Sequence, residues 1–139
     1  MVNKVFGEVF FDTGWYTKTE ITLWGKVYFI YVCAASYRKT DLITTEQEEA
    51  YATFKGTISE KQKRIELLLS SEENLKWYKV AYGLELEPEQ LPEELTPTGL
   101  LISREGECAL LFDQESDPDN GLAVVIISRE EVLTQDDYL

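Results

Sequence analysis

The sequence predicts an α+β domain, because segments typical of strands come first, amphipathic helical segments follow, and strand segments return. Residues 17–24 alternate between apolar and polar side chains with a period of two, which indicates a half-buried strand. Residues 59–82 instead place their apolar side chains on one stripe at helical spacing. We therefore expect an antiparallel β-sheet, formed by an N-terminal three-stranded meander and C-terminal strands, with two or three helices packed on one face.

The predicted meander lies within the first 35 residues. Its first strand lies around residues 5–11 and ends at the turn signal Asp12–Gly14. The second strand is residues 17–24, and a tight connection leads from it into the third, residues 27–35. The third strand is rich in Val, Ile, Tyr and Phe, which is typical of a strand buried on both faces.

Two capping boxes indicate where the helices begin. They pair Thr45 with Glu48 and Ser59 with Gln62. The first helix is expected to be short and to end at Gly56.

The second helical segment extends to Tyr82, and Gly83 supplies its C-cap. Residues 70–73, Ser-Ser-Glu-Glu, interrupt the apolar stripe and could start a new helix. The sequence therefore leaves open whether residues 59–82 form one helix or two.

The C-terminal part is predicted to return to strands after an acidic, proline-rich loop at residues 85–98. A single helical turn is possible at residues 92–95 within this loop. The expected strands are residues 99–103, 108–113 and 121–128, with a short last strand around 132–133. Because these strands could not fold alone, residues 1–139 are interpreted as one domain.

Net charge is distributed very unevenly along the chain. Residues 1–84 contain 11 acidic and 11 basic side chains, whereas residues 85–139 contain 15 acidic and two basic ones, so the net charge of −13 lies entirely in the last part. Such a negative field repels phosphate backbones and anionic membranes, and it attracts a basic protein. We therefore expect a protein partner rather than nucleic acid or a membrane; the same acidity could serve solubility alone.

Cysteine content and the first residues favour a cytoplasmic protein. Cys33 and Cys108 both lie in apolar stretches and are expected to be buried, reduced thiols. The N-terminal segment lacks the apolar core of an export signal. No apolar run reaches the roughly 20 residues that a membrane-spanning helix needs.

Catalytic and cofactor-binding motifs are missing from the sequence. It contains no histidine, which excludes Ser-His-Asp and Cys-His arrangements. Two cysteines alone cannot complete a zinc site, and no glycine-rich phosphate loop occurs. We therefore expect neither enzyme activity nor a cofactor or metal.

The aspartate-rich segment 113–121 is open to three interpretations. Its spacing does not fit an EF-hand, so a calcium site would have to be of another type. Asp and Asn side chains could instead hold a turn, with Gly121 supplying an unusual backbone conformation. The segment could also be part of a binding surface.

The candidate partner-binding residues combine acidic loop side chains with two tryptophans, which are frequent interface anchors. They are Glu89, Glu93, Glu94, Asp113, Glu115, Asp117, Asp119, Asp136, Asp137, Trp15 and Trp77.

Several short motifs together resemble a family of small acidic bacterial proteins whose domain is of unknown function. These motifs are Gly14–Tyr16, Leu23–Gly25, Ile43–Tyr51, Leu95–Thr98, Leu110–Asp113 and Asp117–Val124. Some members resemble immunity proteins encoded near polymorphic toxins. The resemblance implies a binding protein, and it supplies no catalytic residues.

We therefore expect an immunity-type binder that uses an acidic C-terminal face. The alternatives are a housekeeping structural or regulatory domain, or a divalent-metal-binding protein that uses residues 113–121. The sequence leaves the oligomeric state open.

Overall fold

Nine strands and five helices make up the fold, and the computed structural model describes all 139 residues. This confirms the predicted α+β class. The strands are β1 (Val2–Asn3), β2 (Gly7–Glu8), β3 (Phe10–Phe11), β4 (Trp15–Leu23), β5 (Lys26–Ala34), β6 (Leu95–Ile102), β7 (Cys108–Gln114), β8 (Leu122–Ile127) and β9 (Glu131–Thr134). The helices are α1 (Thr45–Gly56), α2 (Ile58–Leu69), α3 (Glu72–Tyr82), α4 (Leu91–Glu94) and α5 (Gln135–Tyr138).

Strands β3 to β9 form one sheet in chain order, and β1 and β2 form a separate ribbon. The predicted antiparallel pairing holds for five of the six neighbouring pairs of the large sheet. The exception is β5 with β6, which is parallel. The chain crosses the helical layer between these two strands, and such a long crossover is what allows parallel neighbours. The sheet is therefore mixed.

The hydrophobic core lies between the sheet and helices α1 to α3. Helix α2 packs against β4 and β8, and α1 packs against β6. The largest side chains in this layer include Phe54, Ile65 and Tyr78 from the helices and Ile30 and Phe112 from the sheet. We call this side of the sheet the inner face and the opposite side the outer face.

The first helix begins one residue earlier than predicted. Thr44 is its N-cap and forms a capping box with Gln47, whose amide oxygen accepts a hydrogen bond from the Thr44 backbone at 2.9 Å. The capping box therefore uses Thr44 and Gln47 instead of the expected Thr45 and Glu48. Gln47 is preferred because its side chain is buried and also contacts two strand ends.

The second expected capping box does not form. Helix α2 follows Thr57 without a side-chain cap, and Gln62 accepts a hydrogen bond from the backbone of Thr22 at 2.7 Å instead. The predicted helical segment at residues 59–82 therefore contains two helices, α2 and α3, rather than one. Ser71 caps α3, and Gly83 ends it in a left-handed conformation that suits glycine.

The first predicted strand, around residues 5–11, is broken into the short strands β2 and β3, and the short strand β1 precedes it. Trp24 and Gly25 form the predicted tight connection, and both have positive φ angles, as a two-residue hairpin turn requires. Helix α5 was not predicted. None of the helices has the length and apolar character needed to cross a membrane.

Gln47 connects α1 to the ends of the parallel strands. Its Nε2 donates to the carbonyl oxygens of Ala35 at 2.9 Å and Ile102 at 3.1 Å. We predict that Gln47→Leu lowers the free energy of unfolding by about 2–3 kcal/mol, because these buried polar groups lose their partner. Urea denaturation measures the change. The control Glu49→Gln, at an exposed position of the same helix, should stay within about 0.5 kcal/mol; equal losses in both variants would contradict the prediction.

Candidate functional site

The hairpin of β6 and β7 brings two acidic segments together. Leu95 at the start of β6 pairs with Gln114 at the end of β7, so the chain entering the hairpin meets the chain leaving it. The Glu115 amide accordingly donates to the Glu94 carbonyl at 2.8 Å. Helix α5 joins this region through the Asp136 amide, which donates to the Asn120 side chain at 3.2 Å.

We call this region the acidic end. It contains Glu93, Glu94, Asp113, Glu115, Asp117, Asp119 and Asp136. These are seven of the nine acidic residues that the sequence proposed for partner binding. Glu89 instead lies in the helical turn before α4, and Asp137 lines shallow cavities beside β9.

Ion pairs neutralise other acidic side chains of the protein but none at the acidic end. The five ion pairs are Arg38–Asp41, Arg64–Glu130, Lys79–Glu85, Arg129–Glu107 and Arg129–Glu131. The carboxylates of the acidic end therefore lack a cationic partner within the molecule. Their fields add, and the region is strongly negative.

Glu94 has a structural role inside the acidic end. Its side chain is buried, and both carboxylate oxygens accept the Ser116 amide at 3.0 Å. Burial removes Glu94 from the surface that a partner could contact. Asp117 is also engaged, because its carboxylate accepts the Tyr82 hydroxyl at 2.7 Å.

A buried polar network lies beneath the loop at residues 115–121. The Tyr78 hydroxyl donates to the side-chain oxygen of Gln114, and the Gln114 amide group donates to the Asn120 carbonyl at 2.6 Å. Burial raises the pKa of Tyr78 far above its ordinary value, and the nearby negative charge of Glu94 raises it further. The network fixes the loop to α3, so the exposed carboxylates occupy defined positions.

Gly121 is required for a different reason from the one the sequence suggested. Its φ angle is not positive. A Cβ atom there would overlap the Phe112 carbonyl oxygen and the Gln135 side chain, whose Nε2 donates to that same carbonyl at 2.9 Å. The close approach of these groups leaves room only for glycine.

The carboxylates of this loop are not arranged as a metal site. No group of three or more Asp, Glu or Cys side chains in the protein could hold a metal ion. The interpretation of residues 113–121 as a calcium site therefore has no geometric support. The turn interpretation fits better, because Asp117 and Asn120 both accept hydrogen bonds that fix the loop.

The two candidate tryptophans occupy different environments. Trp15 is only 3% exposed, and its indole donates to the Asp41 carbonyl at 2.9 Å, so it belongs to the core. Trp77 is half-buried against Tyr82 and lines a groove of about 420 Å³ between α3 and β9. Only Trp77 retains a surface that a partner could reach.

The sequence did not identify the aromatic side chains on the outer face. Strand β5 was expected to be buried on both faces, yet Val27, Phe29 and Tyr31 on the outer face are exposed. The polar alternation of β4 was the available signal, because Lys18 and Glu20 lie on the same face, opposite Tyr31 and Phe29. A strand beside such a polar row has one face toward solvent.

The two cysteines are free thiols without features of a reactive site. Cys108 is buried and Cys33 is half-buried. Burial raises the pKa of Cys108 to about 12 and also raises the pKa of Cys33.

Comparisons with protein-family models, curated proteins and solved structures find no match for the chain.

Stability is predicted to fall as the pH rises above about 10, the ordinary pKa of tyrosine. The pKa of Tyr78 is raised in the folded state, so its stabilising effect is complete below the unfolded pKa and is lost as pH rises toward the folded value. We expect Tyr78→Phe to be about 1–2 kcal/mol less stable at pH 8, because Gln114 loses a donor. The variant should also decline less steeply between pH 10 and 11.5.

Urea denaturation over this pH series measures both effects. Tyr37→Phe is the control, because Tyr37 is 89% exposed. It should match the unmodified protein at every pH. A Tyr78→Phe variant that declines as steeply as the control would show that Tyr78 is not the group responsible.

Proposed function

We propose that the protein is a stoichiometric, non-enzymatic binder of the immunity type that captures a basic protein through its acidic end. The observation that carries the proposal is the concentration of carboxylates without ion pairs at one end of the sheet. The sequence resemblance to immunity-like proteins favours the same class. Nucleic acid and anionic membranes are disfavoured as partners, because the same field repels them.

The acidic end has the properties of a surface that accelerates association. Exposed, unpaired charges steer a partner of opposite sign and raise its association rate by about 10- to 1000-fold. The hydrogen bonds of Glu94 and Asp117 fix the loop before binding. A preformed loop loses little conformational entropy when the partner arrives.

Binding is favoured over catalysis by the chemistry of the available side chains. The protein has no histidine to serve as a general base near neutral pH. The thiols have raised rather than lowered pKa values, which is the opposite of an activated nucleophile. The acidic side chains are therefore interpreted as recognition groups.

We predict that Glu93→Gln, Glu115→Gln and Asp119→Asn, combined in one variant, lower the association rate about tenfold at low salt, because steering weakens. The partner is first isolated on the immobilised protein at low salt and then purified. Surface plasmon resonance at low and high salt measures the rates. At high salt the variant and the unmodified protein should converge, because exposed charges are screened.

The matched control neutralises three exposed acidic residues away from the acidic end. It combines Glu8→Gln, Glu49→Gln and Glu60→Gln, which remove the same number of negative charges. The control should retain most of the association rate. If both variants lose the same rate, the effect depends on total charge, and the acidic end is not the binding surface.

A further inference from the structure

The outer face of the sheet carries an exposed group of aromatic side chains. We call Phe10, Tyr16, Phe29 and Tyr31 the aromatic patch. Phe29 is 78% exposed, and Phe10 and Tyr31 are each about half exposed. An exposed apolar patch of this kind on a folded protein commonly marks an interaction surface.

Three of the four rings of the patch are ordered by contacts with one another. Phe10 stacks on Tyr16 with ring centroids 5.7 Å apart, and Tyr16 meets Tyr31 edge to face at 6.3 Å. The ammonium of Lys18 lies 5.1 Å from the Tyr31 centroid. Ordered aromatic side chains lose little entropy on binding, which makes them effective anchors.

Beside the patch lies a cavity at Gly99 of β6, which we call the socket. Gly99 pairs with Tyr31 on one side and with Leu111 on the other. These residues, with Tyr16 and Leu101, line a cavity of about 340 Å³ whose walls are mainly apolar. Glycine inside a strand weakens the strand, and it often marks a site where another group approaches closely.

The open part of the outer face ends where α5 begins to cover the sheet. Helix α5 packs against β8 and β9, and the outward side chains Ala109, Ala123 and Val125 are buried in that part. No element of the chain covers the patch over β3 to β5 in the same way. The sheet is therefore covered at one side and accessible at the other.

Acidic side chains border the patch and the socket. Asp113 of the acidic end lies two residues after Leu111 on β7, on the same face, and Glu20 lies opposite Phe29. Lys18 is the cation on this part of β4. The border therefore has two carboxylates and one ammonium group and is net negative. A basic partner complements it.

We propose that the basic partner docks on the outer face, inserts an apolar side chain into the socket above Gly99, and contacts the acidic end with surrounding Lys or Arg residues. This inference rests on the proposed function and adds the anchoring surface. The arrangement has the usual anatomy of an interface, with an apolar centre and a charged rim. Tyr31 is the anchor at the edge of the socket, and Phe29 extends the apolar surface two residues before it on the same face of β5.

Three synthetic peptides and ¹⁵N-labelled protein test the proposal by NMR. The peptides are Lys-Lys-Leu-Phe-Lys-Lys, hexalysine and Glu-Glu-Leu-Phe-Glu-Glu. We expect the first to shift the amides of Tyr31, Gly99 and Leu111 as well as those of residues 113–120. Hexalysine should shift the amides of residues 113–120 alone, and the acidic peptide should shift neither group.

Two variants alter the surface without removing core contacts. Gly99→Val fills the socket, and its Cβ would find only the Tyr31 carbonyl oxygen nearby, at 3.5 Å. Because valine favours strands, the variant should fold at least as stably as the unmodified protein. Phe29→Ser removes an exposed ring, and Tyr37→Ser is its exposed aromatic control. Each of the first two should weaken binding of the Leu-Phe peptide at least fivefold and leave hexalysine binding unchanged, whereas Tyr37→Ser should change neither.

The outcomes separate this inference from the proposed function. If the Leu-Phe peptide shifts only the same amides as hexalysine, the docking surface is wrong and the acidic end remains the binding site. If neither basic peptide shifts residues 113–120, the proposed function fails, and this inference fails with it. Binding of the acidic peptide to the socket would contradict the proposal that the partner must be basic. Shifts of Tyr31 and Gly99 that depend on protein concentration alone would identify a second copy as the occupant.

Discussion

The antiparallel pairing of β6 with β7 is the constraint on which the surface of this protein depends. Because Leu95 lies opposite Gln114, the acidic segments before and after the hairpin must meet. The register shifts by one residue between Pro97 and Gly99, and beyond this irregularity Gly99 lies opposite Leu111, where both residues line the socket. One hairpin thus builds both the charged region and the adjoining apolar cavity, and Asp113 lies between them on the same face.

Gathering carboxylates in one place opposes folding, because like charges repel. Hydrogen bonds at the acidic end offset part of this repulsion. The buried Glu94 carboxylate accepts a hydrogen bond from the Ser116 amide, and the Asp117 carboxylate accepts one from the Tyr82 hydroxyl. The remaining carboxylates stay in water, where high dielectric and counterions screen them. Two acidic residues therefore stabilise the loop, while their neighbours remain free to interact.

Local patterns predicted several elements correctly, because those elements depend on nearby residues. The alternation of residues 17–24 identified β4, and Gly83 marked the end of α3. The parallel contact of β5 with β6 could not be predicted this way, because it joins strands separated by the whole helical region. The cap moved from Thr45 to Thr44 for a similar reason, since Gln47 also bonds to distant strand ends.

The site was predictable in composition but not in detail. Charge counting located the acidic segments, but their convergence depends on the pairing of β6 with β7, which charge counting does not reveal. Burial of Glu94 and Trp15 depends on partners far along the chain, and periodicity contains no information about them. The exposure of Phe29 was hidden by the apolar composition of β5. Composition alone does not distinguish a strand with two buried faces from a strand with one buried face and one exposed apolar face.

In the proposed complex, charge and apolar contact affect different rate constants. Long-range attraction by the acidic end acts before contact and therefore changes mainly the association rate. Insertion of an apolar side chain above Gly99 acts after contact and therefore changes mainly the dissociation rate, where most affinity differences between related complexes arise. An acidic surface alone would give fast but short-lived encounters. The adjacent socket supplies the short-range contact that a long-lived stoichiometric complex needs.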